Sequence, residues 1–301
     1  MIDQPQPPST PTVPTAPSGH TVSEAGPGSP RRRGTGPVAI TTAILGGVAL
    51  LAVGASAASG AVGSRGGTSE SGVQSVSARG ITELDLEVGA ASFTLAYGPV
   101  TEAELTVTGA QADRVELRRE RGSLVVSSPD QIGGSCWFGF CPPERRLGSS
   151  TITLTLPQKY RTQLLDADIT LAAGAVSADG TFGQLDVEVG AGKAEVTGAA
   201  RELDVSVGVG EFVGDLQGVR TADFEVSMGG ATARLRGTAP DEVSVQASMG
   251  SVDLTLPDAE YRVTSAVELG DLRNELRTSS TSPHRITAEL TAGDLVLRNG
   301  S

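Results

Sequence analysis

The sequence predicts an all-β protein, a parallel β-helix-like β-solenoid of repeats about 20 residues long, preceded by one transmembrane helix and a disordered tail. Three observations predict it. Thirty-nine Gly and 17 Pro stand against only ten aromatic residues in 301, too many turn formers and too few large core residues for a typical α/β enzyme. From residue 84 onward apolar residues recur with period two. One glycine then returns at near-constant spacing through the C-terminal half.

Residues 1–33 are rich in Pro, Ser and Thr and end in Arg31, Arg32 and Arg33. Such a segment has too little apolar surface to offset its ordering entropy, so a disordered, Pro-rich cytoplasmic tail is expected. Residues 34–63 carry no charged side chain, and the apolar run at 38–58 is 21 residues long. At about 1.5 Å per residue it crosses about 30 Å of hydrocarbon, which predicts a transmembrane helix over 34–63. Three arginines before it and only Arg65 close behind orient the N-terminus to the cytoplasm and the remainder outside. Ala55-Ser56-Ala57 also fits a signal-peptidase site, so secretion after cleavage is the alternative. Both routes take the large domain out of the cytoplasm.

A Gly- and Ser-rich linker is read over 64–78 and the extracytoplasmic domain over 79–301. Alternating runs at 84–88, 93–97, 103–108, 115–117, 124–127 and 151–156 are expected to be strands. The repeat follows: LAAGAVSADG, VEVGAGKAEVTG, VSVGVGEFVGDL, VSMGGATARLRG, ASMGSVDLTL, VELGDLRNEL and LTAGDLVLRN align on Gly174, Gly192, Gly210, Gly229, Gly250, Gly270 and Gly293. The spacings are 18, 18, 19, 21, 20 and 23, about half a propeller blade, with a strand on each side of the glycine. No single unit can bury its own apolar face, so successive units must stack and share one core. Val187, Val189, Val205, Val207, Val226, Val252 and Leu254 are the candidate inward residues, and Asp, Glu, Ser and Thr alternate with them outward.

TITLTLP at 151–157, the iterated LDVEVGAGKAEVTG and LDVSVGVGEFVG units and SMGSVDLTLP at 248–257 resemble the bacterial putative-adhesin domain of unknown function, related to autotransporter-adhesin heads. The resemblance covers roughly residues 84–297. It implies a right-handed β-solenoid at the cell surface or envelope, with no catalytic residue to carry over. The dominance of Arg over Lys, with abundant Ala, Gly and Val, fits a high-GC, actinobacterial source.

Net charge is −12, and residues 1–64 are net +1, leaving −13 on the remainder. A domain of that charge lacks the basic footprint that nucleic acid requires. His20 lies in the tail and His284 in TSPHRI, neither at a catalytic spacing. Asp166, Asp168, Asp186, Glu188, Asp204, Glu225, Asp253 and Asp271 recur near the bends, and alternation places them on an exposed acidic stripe. Calcium between coils is the rival reading, but the G-G-x-G-x-D nonapeptide is absent. No cofactor is expected.

One segment breaks the pattern. Between the strands ending near 127 and beginning near 151 stands SPDQIGGSCWFGFCPPERRLGSS, with three of the ten aromatics in CWFGFC. Cys136 and Cys141 are expected to form a disulfide outside the cytoplasm, free thiols being the alternative. Trp137, Phe138 and Phe140 beside Arg145 and Arg146 form a candidate partner-binding loop or a lid over the end of the stack. The functional expectation is a non-enzymatic, envelope-anchored, adhesin-like interaction module whose partner is an envelope protein or glycan. An accessory protein that senses envelope stress through the helix, and a secreted carbohydrate-active enzyme, are the other two readings.

Overall fold

The structure, a computed structural model, describes residues 71–109, 112–128 and 150–300. The proposed tail, transmembrane helix, most of the linker, and the loop carrying Cys136, Trp137, Phe138, Phe140, Cys141, Arg145 and Arg146 lie outside the described residues. Among the described residues no helix is long and apolar enough to cross a membrane.

The described chain is all-β, with one large mixed sheet. Its strands are β1 (Ser71–Val76), β2 (Glu83–Gly98), β3 (Ala103–Thr108), β4 (Glu116–Glu120), β5 (Ser123–Ser127), β6 (Ser150–Pro157), β7 (Leu165–Val189), β8 (Lys193–Val207) and β9 (Glu211–Gln217). They continue with β10 (Thr221–Val226), β11 (Gly230–Arg236), β12 (Glu242–Ala247), β13 (Ser251–Leu256), β14 (Glu260–Val267), β15 (Leu272–Asn274), β16 (Arg277–Thr278), β17 (Arg285–Leu290) and β18 (Asp294–Asn299). β1 occupies residues that composition assigns to the linker. It is held there by antiparallel pairing with β3, and its Gln74 side chain donates to Val115 O at 2.5 Å and accepts from Leu117 N at 3.0 Å.

The sequence period becomes a pairing offset. Val189 lies beside Val207, and Val207 beside Val226. The same parallel register carries on through β12, β17 and β14 on one wall. A second wall runs through β8, β9, β11, β13, β18 and β15, again parallel. At the N-terminal end the pairing turns antiparallel, with β3 on β6 and β4 on β5. Side chains alternate in and out along both walls, and the inward set forms one core that includes all seven expected residues, each at most 2% exposed.

The stacking order differs from the order in sequence at one point. β17 pairs with β12 on one side and β14 on the other, and β18 lies between β13 and β15. The last repeat therefore inserts beneath its predecessor, and β14 and β15 form the outermost rung. The apolar pattern accounts for the exchange: Ile286, Ala288, Leu290, Leu295 and Leu297 are at most 2% exposed, as an interior rung requires, whereas most of β14 and β15 is exposed. Arg262, Glu268 and Arg273 put charge on that outer rung, which blunts an open sheet edge.

The glycines occupy the corner between the walls because neighbouring rungs approach there backbone to backbone. Gly192 has φ +112°, and a Cβ on it would stand 2.2 Å from Gly174 O; one on Gly229 would stand 2.1 Å from Gly210 O. No side chain fits at such a spacing.

Candidate interaction face

The residue just before each corner glycine has no room inside. Inward positions such as Val205 and Val207 are buried, but the chain bends at Gly208, and Val209 emerges into solvent. The same happens rung after rung. Met228 N donates to Gly208 O at 2.8 Å, Met249 N to Ser227 O at 2.7 Å, Ala292 N to Ser248 O at 2.7 Å and Leu269 N to Thr291 O at 2.8 Å. These bonds line up Val209, Met228, Met249, Ala292 and Leu269 along one corner. Val209 is 63% exposed, Met228 55%, Met249 64% and Leu269 69%. At about 4.8 Å per rung the ridge is about 19 Å long. Scattered surface apolar residues need no explanation, but a contiguous line of them marks a contact surface.

Charge brackets the ridge. Of the five rung segments, DVSVGVGEF, DFEVSMGGA, TAELTAGDL and TSAVELGDL each contain Asp and Glu, SVQASMGSV is uncharged, and none has Lys, Arg or His. Glu225, Glu268 and Glu289 border it on one side, and Asp271 and Asp294 on the other, where Glu211 lies 3.8 Å from Lys193 Nζ of the neighbouring rung.

Farther along the same wall, in-register pairing stacks Asp85 on Asp168, Asp186 on Asp204 and Asp204 on Asp223. The Asp168 and Asp186 charges also interact. Burial pushes the Asp204 carboxyl up to about 6, and the adjacent charges of Asp223, Asp186 and Glu225 add to it. Asp85, Asp168, Asp186 and Asp223 move upward too, burial being the largest cause in each. Glu83, Glu87 and Glu120 reinforce Asp85 while Arg118 opposes; Glu188 reinforces Asp168, Glu202 Asp186, and Glu242 Asp223.

A carboxyl whose folded pKa is raised binds protons more tightly when folded, so its penalty is absent below the unfolded value near 4, grows as pH rises towards about 6 and is complete above it. Thermal unfolding at constant ionic strength will therefore show a higher midpoint at about pH 5 than at about pH 7.5. Asp204→Asn will raise the midpoint at the higher pH and shrink the difference. A midpoint that falls on acidification contradicts the stacked arrangement.

Of the other carboxylates singled out in the sequence, Asp166 Oδ1 accepts from Gln184 N at 2.9 Å and Asp253 is paired with Arg298. Among the described residues no group of three or more His, Cys, Asp or Glu side chains is placed to hold a metal ion. His284 is not a freely solvated loop residue: its Nδ1 lies 2.8 Å from Pro240 O, and its ring centroid is 5.9 Å from that of Tyr261.

Fold and face together define an all-β repeat protein with a long acidic wall and an apolar corner open to solvent. No family model matches the chain, and no curated protein matches it. Among solved structures it is similar to a putative adhesin from Bacteroides fragilis, at 12% identity over 77% of this chain and 98% of that one, with a TM-score of 0.42. It is also similar to a putative cell adhesion protein from Clostridium sporogenes, at 12% identity over 77% and 100%, TM-score 0.36. A putative lipid binding protein from Parabacteroides distasonis is similar at 11% identity over 78% and 98%, TM-score 0.30.

Proposed function

We propose that the chain is a non-enzymatic, adhesin-like interaction module of a bacterial envelope, a right-handed β-solenoid displayed outside the cytoplasm. Its anchor is the transmembrane helix at 34–63, with the Pro-rich tail inside. Three arginines followed by an uncharged run long enough to span the bilayer support that orientation. A Cys136–Cys141 disulfide closes a short loop that presents Trp137, Phe138 and Phe140 beside Arg145 and Arg146 as a second contact element.

The observation that carries the interaction reading is the apolar ridge at Val209, Met228, Met249, Ala292 and Leu269, exposed along one corner on consecutive rungs. A protein that only filled space would gain solubility by making those positions polar.

Photo-crosslinking in cells tests the reading. A photoreactive residue at Met228 of the full chain is expected to give a discrete adduct in the membrane fraction. The same residue at Thr232, exposed on the other wall, is expected to give none. Equal labelling at the two positions, or no adduct at Met228, refutes an interaction role for this face.

A further inference from the structure

We infer that the corner ridge receives a cationic amphipathic helix of a partner protein, its apolar stripe on Val209, Met228, Met249 and Leu269 and its Lys or Arg side chains on the carboxylates to either side. This inference rests on reading the chain as an interaction module and specifies the partner's chemistry.

Spacing selects the shape of the occupant. Successive ridge residues are about 4.8 Å apart, and a helix presents one apolar residue per turn of about 5.4 Å. Over the five rungs the two repeats drift apart by only about 2.4 Å, which the long Met side chains can absorb. An extended strand repeats every two residues, at about 6.8 Å, and drifts by about 8 Å over the same five rungs. The paired methionines also suit the task, because unbranched thioether side chains adapt to irregular apolar partners.

Charge selects the sign. A helix about 10 to 12 Å wide centred on the ridge places its flanks over Glu225, Glu268 and Glu289 on one side and Asp271 and Asp294 on the other. Long basic side chains reach such carboxylates while their stems stay on apolar surface. A second copy set ridge to ridge would oppose two acidic borders. An anionic bilayer would meet the same repulsion, so both fit less well.

The test uses the fragment 64–301, whose contacts form a separate unit with its own core. The probe is a synthetic Leu/Lys helix of about five turns with one leucine stripe, compared with a stripe-scrambled peptide of equal composition and with a Lys-to-Glu version. Fluorescence anisotropy at near-physiological salt is expected to show binding of the striped cationic peptide alone. The double variant Met228→Asn, Met249→Asn is expected to weaken that binding at least about tenfold with an unchanged melting temperature, since both side chains are already solvent-exposed. Equal binding by the variant or by the scrambled peptide means simple charge adsorption and overturns the inference. Self-association, or co-sedimentation with zwitterionic vesicles, that the double variant abolishes also overturns it, in favour of a second copy or a membrane. Failure of the peptide to bind while cellular crosslinks at Met228 persist removes the cationic helix and leaves the interaction module standing. Loss of both removes both.

Discussion

Val207→Asp will abolish stable folding of the repeat, at a cost of roughly 3–5 kcal/mol, a large fraction of what a domain has to lose. Val207 is 1% exposed and stacked between Val189 and Val226, with Gly229 of the next rung against its γ-methyl. Among the described residues no basic group is buried in that interior, so the carboxylate either ionises unpaired or stays protonated without a partner; both are expensive. The adjacent residue provides the control. Ser206 points outward between Glu188 and Glu225, so Ser206→Lys should leave the melting temperature unchanged or slightly raise it. Calorimetry of the two variants reads the register directly: tolerance of Asp at 207 together with collapse from Lys at 206 means the alternation is shifted by one residue.

Gly192→Val will be nearly as damaging, for a different reason. Its φ of +112° is strained for any other residue, and a Cβ there stands 2.2 Å from Gly174 O and 2.7 Å from Gly174 N. Two backbones must separate to admit it, which breaks hydrogen bonds on both sides of the corner; a loss of several kcal/mol, on the order of 3 or more, is expected. Gly218→Ala isolates the conformational part. It has φ +81°, but its nearest neighbour would be Ala200 O at 3.9 Å, so about 1 kcal/mol is expected. Urea unfolding that gives similar losses for both variants would rule out close packing of rungs as the reason for the glycine column.

The repeat, its period and the inward residues were legible in the sequence because a two-residue alternation and a once-per-rung glycine are both local signals. The interior residues from Val187 to Leu254 follow from them. The ridge was not legible, although an apolar residue precedes every aligning glycine. Simple alternation places Val209 inside with Val205 and Val207, and only the bend at the corner reverses its direction. The exchange of the last two rungs escaped for another reason. Which repeat ends a stack depends on comparing whole apolar sets, and RVTSAVELGDL is the weaker of two similar candidates beside RITAELTAGDL. β1 was hidden because its pairing with β3 and the bonds of its Gln74 to Val115 and Leu117 are long-range, in a segment whose composition is that of a linker. The aromatic loop remains an expectation from composition alone, since its residues lie outside those the structure describes.

The inserted last repeat bears on how such a chain can be completed. In a simple stack each unit settles onto the one before it, and a polypeptide emerging N-terminus first can finish its structure as it appears. Here the layer formed by residues 260–274 has only the two-residue β16 paired to its start until residues 285–299 arrive to fill the gap beneath it. The layer at 260–274 therefore closes onto the stack only once residues 285–299 have been made. Residues 285–299 are a keystone, and removing them takes out an interior slab together with the seat of the layer above.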